Sequence, residues 1–174
     1  PQTLAWQCLF VTVNLARISL EVRERRRAIL DEADEELLAT VFPGFNRIEF
    51  AKLRRLAIQR DLPEGGELTR QGEPVTHLLL LTSGRCAVLR RGGEVAELRD
   101  GAWIGEMGFI SERPASATVV CRTPCRVLAW NVHALRGLLA RNPAIAVSLQ
   151  GLFGRELANR LAQADSILRT PRPG

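Results

Sequence analysis

The chain has 174 residues, of which 46% are hydrophobic and 25% charged. This composition is typical of a soluble globular protein with one main domain, and it excludes a largely disordered or fibrous chain. The formal net charge is +5, and Lys52 is the only lysine. A net positive charge is typical of proteins that bind nucleic acid or an anionic membrane surface. Because arginines alternate with acidic residues through most of the chain, we expect solvated surfaces and no nucleic-acid partner.

Residues 1–30 form an apolar and basic N-terminal segment. The stretch LAWQCLFVTVNL at 4–15 is apolar but shorter than the ~20 residues that span a bilayer. Several arginines follow it, as they do on the cytoplasmic side of membrane helices. Two interpretations stay open: a helix facing the core or a dimer partner, or the end of a membrane helix that begins upstream. We therefore expect a cytoplasmic domain, with membrane attachment before residue 1 as one alternative.

The cysteines and histidines suggest no metal site. Cys8, Cys86, Cys121 and Cys125 form no Cys-x-x-Cys pair, and the chain has only two histidines. We predict buried thiols in a reducing compartment and no bound metal. A disulfide between Cys121 and Cys125, across the Thr-Pro turn, is the alternative.

The periodicity of the chain then changes twice. Residues 31–56 predict two short helices, the first capped by Asp31 or Asp34 and the second by Asn46. Residues 57–130 predict short strands between Gly-rich turns, which indicate a sandwich or barrel-like roll. Their segments are AIQRDL, ELTRQ, HLLLLTS, RCAVLRR, EVAEL, ASATVVCR and CRVLAWN. Residues 131–169 predict two further helices, the first capped by Asn131, and 170–174 a disordered tail.

Two motifs resemble those of the cyclic nucleotide-binding domain family. GEPVTHLLLLTSGRCAVL is similar to a conserved hairpin of that family, and GAWIGEMGFISERPASATV is similar to its phosphate-binding cassette, which lies at 101–118 here. The resemblance covers about residues 53–168. It implies an α+β, mainly β fold: an antiparallel β-roll or jelly-roll of about eight strands, with N-terminal helices and two C-terminal helices. Cyclic AMP or cyclic GMP is the implied ligand.

The N-terminal part is similar to a narrower relative, the Popeye domain. The matching features are WQCLFVTVNLARISL, the DEADEELLATVF helix and the EFAKL helix. Popeye proteins place transmembrane helices just before a cytoplasmic cyclic nucleotide-binding domain. The chain departs from them in keeping Gly-Glu in its cassette.

The cassette resemblance implies a set of ligand-binding residues. Glu106 would accept a hydrogen bond from the ribose 2′-hydroxyl, although a glutamate in a first helical turn is also favoured by the helix dipole. Backbone amides around the Gly-Glu turn would bind the phosphate or ribose, and Ser116 the phosphate. The remaining positions match the family pattern. We expect Ile104 mainly in the core, and the alternative for Thr118 is an ordinary strand residue that contacts no ligand. The candidates are Ile104, Gly105, Glu106, Met107, Gly108, Arg113, Ala115, Ser116, Ala117 and Thr118.

Ala115 is a departure from the family pattern. The resemblance implies an arginine here, bidentate to the phosphate, and losing one partner of a buried charge pair costs about 2–5 kcal/mol. Arg113 and Arg122 lie near in sequence as substitutes, and Arg113 is the better placed of the two. The alternative for Arg113 is a solvated side chain.

The sequence favours a regulatory ligand-binding domain and predicts no enzyme, since no catalytic arrangement can be formed with its two histidines. Leu152, Phe153 and Leu157 would pack over the ligand as a lid, or simply in the core. A second hypothesis is a domain that binds no nucleotide and acts in dimerisation or scaffolding. A third is a transcription regulator of the catabolite-activator type, for which the chain carries no helix-turn-helix. We expect a homodimer through the terminal helices.

Overall fold

The computed structural model describes residues 30–169, with side chains described up to residue 158. The predicted N-terminal segment before Leu30 and the predicted tail at 170–174 lie outside the described residues. The chain forms two compact units, residues 1–52 and 53–174. None of the helices in the described part combines the length and the apolar composition of a membrane span.

Two capped helices follow Leu30. Helix α1 (Glu32–Thr40) begins after Asp31, whose carboxylate accepts a hydrogen bond from the Asp34 amide at 2.7 Å. Helix α2 (Arg47–Leu56) begins after Asn46, which accepts from the Glu49 amide at 2.9 Å. The Glu49 carboxylate accepts in return from the Asn46 amide at 3.2 Å, which completes a capping box. The Asn46 cap is confirmed, and Asp31 is the cap of the first helix.

Within residues 30–169, eight strands form two antiparallel sheets of four, in the orders β1-β8-β3-β6 and β2-β7-β4-β5. The predicted fold class is therefore confirmed. Strand β6 lay in none of the predicted segments. The strands are β1 (Ile58–Leu62), β2 (Glu67–Thr69), β3 (His77–Ser83), β4 (Cys86–Arg90), β5 (Gly93–Leu98), β6 (Trp103–Ile104), β7 (Thr118–Cys121) and β8 (Cys125–Asn131).

The core lies between the two sheets. Strand β3 buries four consecutive leucines, so both of its faces are covered, in contrast to the alternation of a half-exposed strand. The Trp130 indole of β8 is also buried and donates to the Leu53 carbonyl at 2.8 Å. One cluster of core side chains joins the sheets: Leu79, Leu81, Cys86, Ile104, Val119, Cys121, Cys125, Val127 and Ala129.

Three more helices complete the second unit. Helix α3 (Glu106–Ser111) is a short helix between β6 and β7. Helix α4 (Val132–Arg141) begins after Asn131, whose side chain accepts from the Ala134 amide at 3.1 Å, which confirms the predicted cap. Helix α5 (Pro143–Arg169) follows directly and is the longest in the described part. The cassette motif thus spans β6, α3 and the start of β7.

Candidate functional site

A cleft of about 170 Å³ opens where the cassette meets strands β4 and β5. Its wall combines an apolar surface from the strands with the turn that begins α3 and the loop that precedes β7. Four of its lining residues have polar or charged side chains: Thr69, Arg90, Glu106 and Ser116. The lining residues are Thr69, Val88, Arg90, Leu98, Trp103, Ile104, Gly105, Glu106, Met107, Gly108, Ala115, Ser116, Ala117 and Val119.

The turn before α3 depends on Gly105. This residue has φ +86°, a left-handed conformation that side chains with a Cβ disfavour. A Cβ here would also lie 3.1 Å from the His77 carbonyl oxygen. The turn places residues 106–108 in the first helical turn, whose amides have no acceptor within the helix. Those residues line the cleft, so the turn presents polar backbone to it.

Glu106 is the one buried charged residue in the part of the chain that the structure describes. Its side chain is 7% exposed, and the residue lines the cleft. Charged groups are rarely buried unless they are paired or hydrogen-bonded. A carboxylate held in such a place is a strong acceptor for a ligand hydroxyl, because charge-assisted hydrogen bonds are about twice as strong as neutral ones.

The loop before β7 is held by hydrogen bonds to the loop after β2. The Ala115 amide donates to the Glu73 carbonyl at 2.8 Å, and the Gly72 amide donates to the Ala115 carbonyl at 2.9 Å. The Gln71 amide donates to Thr118 Oγ1 at 2.9 Å. These bonds fix the backbone beside Ser116, whose exposed side chain lines the cleft.

The cleft brings together all the predicted site residues except Arg113 and Thr118. Arg113 is exposed and is not among the lining residues, and Thr118 is engaged by Gln71. Arg122, the other suggested substitute for the missing arginine, pairs instead with Glu94. Whether the assembled residues contact a ligand stays a prediction.

Six lining residues were not among the predicted site residues: Thr69, Val88, Arg90, Leu98, Trp103 and Val119. Arg90 had a detectable signal. It stands two positions after Val88 in the same predicted strand, and residues two apart in a strand share a face. Because Val88 is an apolar residue within that strand and so favours its inner face, the same alternation directs Arg90 to the inner face at the strand's end. Thr69 and Leu98 reach the cleft through sheet pairing, which sequence spacing does not reveal.

Three cysteines from separate strands converge in the core, and none of them lines the cleft. Cys86, Cys121 and Cys125 are buried free thiols, so the alternative of a Cys121–Cys125 disulfide is wrong. Their sulfur atoms lie within 4.8 Å of one another, close enough to share a metal ion. Burial raises the pKa of the Cys121 thiol to about 11 and raises that of Cys86 further. Neutral thiols in this setting pack as small apolar side chains, and the absence of a metal stays a prediction.

Aromatic contacts connect the cleft to helix α5. Trp103 lines the cleft and packs edge-on against Phe153 of α5, with ring centroids 5.4 Å apart. Phe109 of α3 packs against the same ring at 6.3 Å. The Arg136 guanidinium of α4 lies 5.3 Å from the Phe109 ring centre and donates to the Phe109 carbonyl. The predicted lid residues Leu152 and Phe153 are buried, whereas Leu157 is exposed.

The described residues thus form an eight-stranded antiparallel roll with a cleft at the turn that begins α3. Residues 59–142 match the family model described as cyclic nucleotide-binding domain. The match confirms the resemblance that the two motifs carry. The narrower resemblance to the Popeye domain stays a prediction.

Several known proteins are similar to this chain in sequence or in structure. The chain is 28% identical, over 80% of its length, to the cAMP-dependent protein kinase regulatory subunit of Neurospora crassa, and it spans 36% of that protein. A solved cyclic nucleotide-binding domain from Methylobacillus flagellatus KT is 28% identical, with a TM-score of 0.71 over 81% of this chain and 85% of that one. The catabolite activator protein of Thermus thermophilus is 27% identical, with a TM-score of 0.60 over 73% and 62%.

Proposed function

We propose that the cleft binds a cyclic nucleotide and that the chain acts as a regulatory domain without catalytic activity. The observation that carries the proposal is the buried Glu106 carboxylate, which lies in the first turn of α3 and lines the cleft. It lies in the part of the chain that matches the cyclic nucleotide-binding domain model. A ribose hydroxyl is the ligand group that such an acceptor suits. The cyclic phosphate would lie beside Ser116 and the amides of the α3 turn.

The size of the cleft supports a particular orientation of the ligand. Its volume of about 170 Å³ is smaller than the ~300–1,000 Å³ of pockets that enclose whole drug-sized ligands. The cleft would therefore enclose the sugar and phosphate, while the base extends along the apolar surface of Val88 and Leu98. Both cyclic AMP and cyclic GMP have this sugar-phosphate, so both are candidate ligands.

We propose that helix α5 carries the regulatory output. Phe153 contacts Trp103, which lines the cleft, and Phe109, which follows the Gly-Glu turn on α3. A ligand that draws the α3 turn inward would move the surface on which Phe153 rests. Binding energy would then shift a two-state equilibrium of the C-terminal helix.

Two finer proposals concern the molecular context. A homodimer through the terminal helices is supported by the exposed apolar residues Val147 and Leu157 on α5. The cytoplasmic part of a Popeye-like membrane protein is supported by the apolar and basic sequence of residues 1–30. Light scattering of the chain measures the first, and fractionation of the full-length protein, with any sequence upstream of Pro1, tests the second.

Isothermal titration calorimetry with cyclic AMP and cyclic GMP tests ligand binding directly. We expect the 174-residue chain to give saturable heat below about millimolar ligand, and Glu106→Gln to bind about 10- to 100-fold more weakly. The reason is the loss of a hydrogen bond to a charged acceptor, worth about 1.5–3 kcal/mol. Glu64→Gln, which alters a carboxylate in the β1–β2 turn outside the cleft, is the matched control and should bind as the parent does.

An absence of heat with both nucleotides would contradict the proposal. That result would favour a scaffolding domain of the same fold that binds no nucleotide. Ala115 supports the scaffolding alternative, because it presents a methyl group to the cleft where the family resemblance implies a cation.

A further inference from the structure

We propose that Arg90, at the end of strand β4, is the cation that anchors the anionic group of the ligand in this cleft. The inference rests on the proposed function of the cleft and identifies how that site compensates for the small side chain at Ala115. It assigns to Arg90 a role that the sequence suggested for Arg113.

The pairing of β4 with β7 directs Arg90 toward the phosphate side of the cleft. Val88 pairs with Val119 and Leu89 with Thr118. The next step of this antiparallel register sets Arg90 opposite Ala117, and paired residues project from the same face of a sheet. Val88, Arg90 and Ala117 all line the cleft, as the register requires.

Arg90 lines the same cleft as Ala115 and Ser116 of the loop before β7. Residues on diagonal positions of neighbouring strands lie about 7–8 Å apart between backbones, well within the reach of an arginine side chain. The Arg90 side chain is exposed at the rim of the cleft. Among the described residues, no ion pair engages it. Arg90 is therefore available to a ligand at this rim.

The charge balance of the cleft gives Arg90 its role. Glu106 is the one acidic side chain among the lining residues and Arg90 the one basic side chain. A phosphodiester entering beside Glu106 brings a second negative charge into a partly enclosed space, where like charges repel. A guanidinium offsets that repulsion and offers two parallel N–H donors to phosphate oxygens.

The two other arginines near the cassette are less suitable. Arg122 forms an ion pair with Glu94 and is absent from the cleft wall. Arg113 is also absent from the wall, and its side chain is exposed. Its carbonyl oxygen lies 2.9 Å from where a Cβ of Gly108 would stand, so the backbone of Arg113 packs closely against α3.

Calorimetry with cyclic AMP on three single variants tests the assignment. We expect Arg90→Gln to weaken binding at least tenfold, whereas Arg91→Gln and Arg113→Gln stay within about threefold of the parent. Binding by the parent should weaken from 50 to 500 mM salt more steeply than binding by Arg90→Gln, because one screened charge contact is missing in the variant. Adding Ala115→Arg to Arg90→Gln should restore affinity, since residue 115 lines the same cleft.

Inorganic phosphate provides a second probe that does not depend on nucleotide binding. In ¹H–¹⁵N spectra of the chain, phosphate should shift the amide signals of residues 105–108 and 116, and these shifts should vanish in Arg90→Gln. Phosphate shifts that depend on Arg90, without heat from either nucleotide, would support this inference and contradict the proposed function.

Equal cyclic AMP affinity in Arg90→Gln and the parent would overturn the inference and leave the proposed function standing. A large loss in Arg113→Gln with none in Arg90→Gln would overturn it in favour of Arg113. Phosphate shifts that are absent near residues 105–108 and 116 in the parent, or unchanged in Arg90→Gln, would also count against it.

Discussion

At the scale of single residues, Gly108 shows how closely the cassette packs. In the structure a Cβ at Gly108 would lie 2.9 Å from the Arg113 carbonyl oxygen and 3.1 Å from Val75 Cβ. Helix α3 therefore sits closer to the loop that follows it, and to Val75, than an alanine allows. Glycine is required by this packing rather than by an unusual φ angle.

We predict that Gly108→Ala lowers the free energy of unfolding by about 1–3 kcal/mol, the usual cost of forcing extra atoms into a packed site. Chemical denaturation followed by circular dichroism measures the change. Gly154→Ala is the matched control, because a Cβ there meets nothing within 4 Å and an alanine raises helix stability by about 0.5–1 kcal/mol. If Gly108→Ala is as stable as the parent, the close packing of α3 is wrong.

At the scale of elements, features decided by a few neighbouring residues were predicted from the sequence more fully than features decided by strand pairing. Side-chain caps at Asn46 and Asn131 begin α2 and α4 as expected, because a cap is decided within a few residues. Strand β6 has two residues and no alternation, and it exists only because Trp103 and Ile104 pair with β3. The spacing from Val88 directs Arg90 to the inner face of the roll, but its position beside the cassette depends on the register of β4 against β7, which no spacing along the chain encodes.

The cysteine cluster illustrates the same dependence on pairing, and its thiols have a predictable pH response. Burial raises the pKa of the Cys121 thiol to about 11, above the ~8.5 of an unfolded thiol. The fold thus favours the neutral form. The associated stability is complete below the unfolded pKa and is lost as the pH rises toward 11.

We therefore predict that iodoacetamide leaves Cys86, Cys121 and Cys125 unmodified in the native chain at pH 8 and labels all three in guanidinium chloride. Mass spectrometry of a Cys8→Ser variant measures this without interference from the fourth cysteine. Raising the native sample from pH 8 to pH 10.5 should lower its thermal midpoint. Rapid labelling at pH 8 with an unchanged circular dichroism spectrum would refute the buried, neutral cluster.

At the scale of the whole molecule, the contacts of Phe153 connect the cleft, where we propose that the ligand binds, with helix α5, which we propose carries the regulatory output. Its ring is 4% exposed and touches one aromatic residue from the cleft wall and one from α3. Packed interfaces of this kind change between discrete arrangements rather than deforming continuously. A ligand that pulls the α3 turn inward is thus expected to reset the packing of α5 as a unit.

Phe153→Leu tests this coupling while keeping an apolar side chain in the site. In the parent, cyclic AMP should slow amide hydrogen exchange in the first part of α5, residues 143–158, because the bound state holds the helix in one arrangement. In Phe153→Leu we expect affinity for cyclic AMP to stay within about threefold, since the residue does not line the cleft, while the added protection of α5 is lost. Val147→Ala, an exposed change on the same helix, should retain both responses. If Phe153→Leu keeps the full protection of α5, the signal does not travel through this aromatic contact, and the output must leave the cleft by another surface.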